Sequence, residues 1–268
     1  MFIRIPYVGV MCMNKRHYFR YPTIRIRPGF IAVCFITAIA ITIVVAALNN
    51  YKAVPAYTVP DNGITIIIDP GHGGMDGGAV GNDKKTVEKD INLSVALKLR
   101  EFLIIGGYNV VLTREDDRLI YDDGIKTIKK QKTSDIKNRL KIINEHPEAL
   151  FISIHQNKFT QSKYNGAQVF YGRKNADSQI LAQAIQSSFR AMLQPDNDRE
   201  VKKTGKEIYL LYHSNIPSVM VECGFLSNAE ECERLKTDEY QNEVAFVIYA
   251  GLSQYIEACK TNTAENNQ

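Results

Sequence analysis

The chemistry in this sequence is concentrated in four short places. Asp69-Pro70-Gly71-His72-Gly73-Gly74 sets an imidazole in a glycine-rich loop, and Ser153-Ile154-His155-Gln156-Asn157 sets a second one behind an apolar run. Glu88 opens an amphipathic stretch, and Glu222 follows Val219-Met220-Val221. Two histidines and one carboxylate, with a fourth position open to water, make a standard catalytic zinc shell. With His72, Glu88 and His155 as the ligands, Glu222 is left to handle protons. Each residue alone has a plainer reading. His72 could serve only the turn, and His155 could be a hydrogen-bonded core histidine. Glu88 could simply favour a helix N-terminus, where the dipole welcomes an acid. Glu222 is the hardest to explain that way, because a carboxylate buried behind three apolar residues is costly unless paired or protonated. The glycine loop has neither a GK[ST] ending nor GxGxxG spacing, which argues against a phosphate cradle.

The elements that must position these groups follow from periodicity. Ile64 to Ile68 form an apolar, β-branched run with strand character that leads into Asp69. Ile91, Val95, Leu99 and Leu103 recur every four residues after Glu88 and stop at Gly106-Gly107, which reads as a helix with a C-terminal glycine. Strands are expected at 110–112, 150–154, 168–171, 208–211 and 219–221. Helices are expected from Ser134 through Ile143, over 177–193 and over about 240–258, with the lysine-rich 115–133 as a surface loop. Ser227-Asn228-Ala229-Glu230 fits a capping box. Strands alternating with helices predict an α/β fold with one mainly parallel sheet and helices on both faces. Ligands then bind beyond the carboxyl ends of the strands, where the two histidines and Glu222 fall.

The net charge of +4 is not spread evenly. Residues 1–62 hold seven of the 33 Lys/Arg and one of the 29 acids, so the remainder carries 26 against 28, a net of −2. The folded part therefore has no electrostatic footprint for nucleic acid. Residues 30–48 contain no charge, and only Thr37 and Thr42 are polar. That length matches the hydrocarbon core of a bilayer, and the basic residues before it place the N-terminus inside and the rest outside. The expected organisation is a basic cytoplasmic tail (1–29), a transmembrane helix (30–48), a linker (49–62), a catalytic domain (63–259) and a polar tail (260–268). Cleavage near Val45-Ala46-Ala47 is the alternative, and it too exports the domain. The five cysteines form no CxxC pair and no disulfide framework.

Five ordered blocks carry a more specific resemblance. They are residues 68–74, Glu88-Lys89-Asp90-Ile91-Asn92-Leu93, Leu112-Thr113-Arg114, residues 153–157, and Pro217-Ser218-Val219-Met220-Val221-Glu222-Cys223-Gly224-Phe225-Leu226-Ser227-Asn228. Together they resemble the zinc-dependent N-acetylmuramoyl-L-alanine amidases sometimes called type 3, over about residues 64–256. Gln156 is a mild departure, standing where the family often has a small residue. The resemblance implies a six-stranded sheet flanked by helices, one Zn2+ held by His72, Glu88 and His155, and Glu222 as catalytic acid/base. The implied reaction is hydrolysis of the amide between N-acetylmuramic acid and L-alanine in peptidoglycan. The short N-terminal segment and the lack of wall-binding repeats are similar to the sporulation members. Those act in the spore cortex upstream of a peptidoglycan deacetylase, on the route to muramic-δ-lactam. The family's self-blocking insertion would fall within 194–207, which is too short to hold it, so control would come from expression or a regulatory protein. Two rival readings are an exported zinc peptidase and a non-catalytic wall-binding module.

Overall fold

A computed structural model describes residues 28–50 and 61–266 of the chain. The chain divides into two units, Met1–Thr58 and Val59–Gln268. In the first, α1 (Pro28–Asn50) is a helix over the apolar stretch, with Phe30, Phe35, Ile36 and Ile41 exposed. No helix among the described residues is long and apolar enough to cross a membrane. The transmembrane helix expected over 30–48 is thus seen as a helix and not as a span. The side chains at 44 and 46–50 lie outside the described residues, which shortens the apolar run that remains. The basic tail 1–27 and residues 51–60 of the linker also lie outside them.

The second unit is built on six strands: β1 (Thr65–Pro70), β2 (Asn109–Leu112), β3 (Leu150–Asn157), β4 (Gln168–Tyr171), β5 (Lys202–Lys203) and β6 (Ser218–Phe225). They lie in the order β2-β1-β3-β6-β4-β5. Strands β2, β1, β3 and β6 are mutually parallel, but β4 runs antiparallel to β6. The sheet is therefore mixed, not mainly parallel as expected. A parallel return needs a crossover of a dozen or more residues, usually a helix. Between β3 and β4 there is no helix, so the chain reverses direction. From β4 to β5 it passes through α4 (Asp177–Met192), and those two strands are parallel.

Alternation along the strands sends side chains to two cores. Ile66, Ile68, Ile152, Ile154, Val219 and Val221 face α2 (Glu88–Ile105), α4 and α7 (Asp238–Asn266). Ile67, Phe151 and Met220 face α3 (Ile128–Asn144) and α5 (Tyr209–His213). Most of these side chains are fully buried, and each contributes about 1.5–3 kcal/mol relative to exposure. The sheet is thereby a rigid base, and its strand ends at Pro70, Asn157 and Phe225 have fixed positions.

Three local expectations differ from the structure. α3 begins at Ile128, not after Ser134, because its lysine-rich first turns are a solvated helix face and not a loop. Ser134 sits inside that helix, where its hydroxyl donates to Asp122. Residues 209–213 form α5 instead of a strand; an apolar run this short does not distinguish the two. The cap of α6 (Ala229–Leu235) is Asn228, which accepts from the Glu231 amide, one residue later than the expected box. Between α4 and α5 the chain forms only β5, so no helix arises from that stretch to cover the strand ends.

Candidate metal centre and proton carrier

The loop that leaves β1 carries His72 in a left-handed conformation, with φ of 64°. A histidine rarely adopts this without support from its surroundings. Here the support comes from two buried arginines. Arg139 of α3 donates to the carbonyls of Pro70 (2.9 Å) and His72 (2.7 Å) and to Asp69 Oδ1 (2.6 Å). Arg114, just after β2, donates to the carbonyls of Pro70, Gly71, Lys89 and Asp116. These carbonyls lie at the end of β1, in the loops and in the first turn of α2, and buried carbonyls need donors. The guanidinium groups supply them and hold the loop in one conformation.

Burial works against the Asp69 carboxylate. The neighbouring Arg139 charge and hydrogen bonds from Ser153, Thr113 and Arg139 outweigh it and hold the group down at about 2. Asp69 touches neither histidine side chain; it acts on the loop through Arg139. Asn157 meets its surroundings through its carbonyl, which accepts from Leu226. The carboxylate that does meet a site histidine is Asp76, four residues after His72. Its Oδ2 lies 3.1 Å from His72 Nδ1, and its Oδ1 takes Lys132 Nζ at 2.8 Å.

Glu88, at the first position of α2, sends its carboxylate back under the loop. Its Oε2 accepts from the Ala79 amide at 2.7 Å, and its Oε1 accepts from the Gln156 amide at 3.1 Å. The same Oε1 lies 3.3 Å from His72 Nε2 and 2.9 Å from His155 Nδ1. One donor atom from each of the three residues lies within 4.8 Å of the other two. The structure therefore brings together the three residues that the sequence singled out.

Two glycines are required by this packing. A Cβ on Gly71 would stand 2.2 Å from His155 Nε2, and one on Gly78 would stand 2.5 Å from Glu88 Oε2. Burial tends to pull His72 down, but its contacts with Asp76 and Glu88 raise it to about 9. Burial would raise Glu88, but both histidines hold it far below the usual carboxylate range.

Glu222 lies directly across the β3–β6 ladder from His155, so the two side chains share a face of the sheet. Its Oε2 is buried without a hydrogen-bond partner. Burial pushes its carboxyl up to about 7, against the pull of His155 and with a further push from Glu88. A carboxyl poised there both accepts and returns a proton near neutral pH. Cys223 next to it is fully buried, and burial pushes its thiol well up, which makes it a packing group.

Sequence reasoning did not find Asp76, Asp135 or Arg139. Asp76 had a weak signal, four residues beyond His72 in the same loop. Arg139 and Asp135 had none, being ordinary charges on a polar helix until the fold places them under Asp69.

The family model for N-acetylmuramoyl-L-alanine amidases matches residues 66–254, and the chain belongs to that family. It is an enzyme of the N-acetylmuramoyl-L-alanine amidase class, a peptidoglycan hydrolase. Within the class it is similar to the germination-specific N-acetylmuramoyl-L-alanine amidase of Bacillus subtilis. The two are 39% identical over 207 residues, covering 77% of this chain and 86% of that relative. The CwlD amidase of Clostridioides difficile, solved in complex with the GerS lipoprotein, superposes with a TM-score of 0.70 at 47% identity, covering 73% of this chain and 99% of that one. The catalytic domain of CwlV, from Bacillus (Paenibacillus) polymyxa, superposes at 0.60 with 30% identity, covering 72% of this chain and 98% of that one.

Proposed function

We propose that this amidase is a mononuclear zinc hydrolase in which His72, Glu88 and His155 hold the ion and Glu222 carries the proton. The observation that carries the reading is the meeting of two imidazole nitrogens at one carboxylate oxygen, beside the unpartnered Glu222 Oε2. The donor set fits the ion: two nitrogens and one oxygen are a catalytic zinc shell. Asp76 takes His72 Nδ1, which leaves Nε2 as the ligand atom and fixes the ring's orientation. Zinc in such a shell supplies Lewis acidity toward the scissile carbonyl and toward water.

The remaining steps fall to the chain's own groups. Glu222 takes the proton of the attacking water and returns it to the alanine nitrogen as the C–N bond breaks. The products are the free lactyl carboxylate of muramic acid and a peptide with a free α-amino group. An amide nitrogen leaves poorly unless protonated, so one carboxyl performs both transfers.

Two results test the ligand assignment. His72→Ala and His155→Ala are each expected to lose bound zinc and activity together, read by metal analysis beside digestion of purified peptidoglycan. A histidine variant that keeps one zinc per chain overturns the assignment. The second concerns protons. With His72 at about 9 in the metal-free protein, zinc binding at pH 7.5 should displace about one proton. Zinc affinity should then fall about 10-fold per pH unit as the pH drops below 9. Calorimetry in buffers of different ionisation enthalpy measures the release, and a value near zero rejects the raised His72.

The biological setting rests on the relatives. Similarity to a germination-specific amidase supports action on spore cortex peptidoglycan outside the cytoplasmic membrane, as the first step toward muramic-δ-lactam. A peptidoglycan deacetylase would act downstream. The complex formed by the Clostridioides difficile relative supports a lipoprotein as the regulatory partner. The uncharged apolar stretch 30–48 supports an N-terminal membrane anchor, or an export signal, ahead of a catalytic domain at 63–259. Membrane fractionation of the full chain distinguishes anchor from cleaved signal.

A further inference from the structure

Beyond the metal centre, β3 continues into a loop that carries two exposed aromatic rings. Phe159 is 50% exposed and Tyr164 36%, and their centroids are 5.2 Å apart in an edge-to-face pair. Tyr164 in turn lies 6.4 Å from Phe225 at the end of β6. Arg199 sits over Phe225 at 4.5 Å and borders the Tyr164 ring at 6.0 Å, and Lys163 flanks Tyr164 at 5.5 Å.

The loop is held in place. The Phe159 amide donates to Ser227 Oγ, Asn228 Nδ2 to the Ser162 carbonyl, and Arg199 Nε to the Asn165 carbonyl. Lys158 Nζ donates to the Val80 carbonyl, which ties this loop to the glycine loop around Glu88. Two large rings held half and about a third exposed forgo part of a burial that is worth about 1.5–3 kcal/mol when complete. An exposed apolar patch with a polar rim marks a binding surface.

Position selects the ligand. The ladder pairs His155 with Glu222 and then Asn157 with Phe225. The register shifts at an irregularity between these pairs, and Asn157 and Phe225 follow His155 and Glu222 toward the carboxyl ends of the strands, on the side of the aromatic loop. In the amidase substrate, the scissile amide hangs from the sugar by a single lactyl arm. When that amide lies at His155 and Glu222, the muramic acid ring lies one arm away. A pyranose presents a face of C–H groups, which matches the electron-rich face of an aromatic ring. The Lys163 ammonium and the Arg199 guanidinium border the rings, where hydroxyl and N-acetyl groups would need partners.

We propose that Phe159 and Tyr164 form a glycan subsite in which one ring stacks on the muramic acid ring and the other, at 83° to it, walls its edge, so that the amide is aligned with the metal centre. The proposal rests on the amidase reading and adds the side from which the glycan enters.

The test uses the zinc-loaded full chain and two substrates with the same scissile amide: a muramyl-L-alanyl peptide and the corresponding lactoyl-L-alanyl peptide, which lacks the sugar. The ratio of their kcat/KM values should fall about 10-fold in Phe159→Leu/Tyr164→Leu, mainly through KM. That factor corresponds to roughly 1.4 kcal/mol of lost ring contact. Phe159→Leu alone, at the more exposed ring, should show part of the loss. Tyr164→Phe, which keeps the ring, should keep most of the ratio. Retention on glycan strands stripped of peptide is measured in parallel and needs no turnover. An unchanged ratio together with unchanged retention overturns the subsite, as does an equal loss on both substrates. If the wild type cleaves neither substrate, the amidase reading fails; the subsite is then judged by retention alone, and unchanged retention in the double variant rejects it.

Discussion

Glu222→Gln is expected to keep its zinc and lose at least about 10²-fold in turnover, because general acid–base transfer typically contributes 10²–10⁴. The side chain keeps its size, so packing along β6 between Val221 and Cys223 survives, both being fully buried. The acid form of Glu222 is already favoured by burial, which pushes the carboxyl to about 7. A neutral amide therefore replaces a group that is only partly ionised near pH 7, and the charge at the metal centre changes by less than a full unit. What disappears is the ability to take a proton from water and pass it to the alanine nitrogen.

The wild-type pH profile carries the same signature. The base form of Glu222 grows as pH rises through about 7, and the proton it takes from water is the one it passes to the leaving nitrogen, so activity is expected to rise through that pH. The second transfer restores the carboxylate, so one group completes both steps without an outside proton. Metal analysis beside a peptidoglycan digest decides the matter. If the glutamine variant loses its metal as readily as His72→Ala, Glu222 is a ligand. If it turns over normally, another group moves the proton.

The residues of the candidate site were legible in the sequence because each follows an apolar run or opens an amphipathic one. β1 and β3 are apolar runs that stop at Asp69-Pro70 and at His155, and α2 starts at Glu88 with an apolar side chain every fourth residue. Patterning along the chain therefore located the candidate site. What it could not supply was the support underneath. Arg139 lies 70 positions from its partner Asp69, on a helix whose charges, Asp135 apart, are otherwise exposed. No local period marks such a pairing. The direction of β4 was also hidden, because a four-residue strand has the same pattern whichever way it runs. Only the absence of a helix between β3 and β4 fixes it. The short α5 and the lysine-rich start of α3 were misread for one reason: too few apolar positions repeat to separate helix from strand or loop.

Arg139→Met is expected to cost about 3–5 kcal/mol, the usual penalty for breaking a buried ion pair and leaving its partners uncompensated. The guanidinium is almost fully buried and joins six acceptors: both oxygens of Asp135, Oδ1 of Asp69, Oγ1 of Thr113, and the carbonyls of Pro70 and His72. Methionine fills much of the volume but donates to none of them. In a domain of this size the loss corresponds to a fall in Tm of roughly 6–20 °C. The pH dependence identifies the cause. Asp69 is held at about 2 in the folded protein, below its ordinary 3.8. Its contribution is therefore present above about 4 and is lost as pH falls toward 2. Without Arg139 the buried carboxylate is unpaired, its pKa rises, and protonation relieves the penalty. The gap in Tm between wild type and variant should be widest near neutrality and narrow as pH falls below about 4. A cavity or packing defect would give a gap that does not change with pH. The second readout is zinc. Arg139 holds the carbonyl of His72, a residue kept at positive φ, so releasing it lets the loop relax and the imidazole drift from Glu88 and His155. Zinc affinity of the folded variant, measured well below its Tm, should fall by about 10–100-fold, the range found for partners that orient metal ligands. An Arg139→Met protein with wild-type Tm and wild-type zinc affinity would show that Arg114 alone secures the loop.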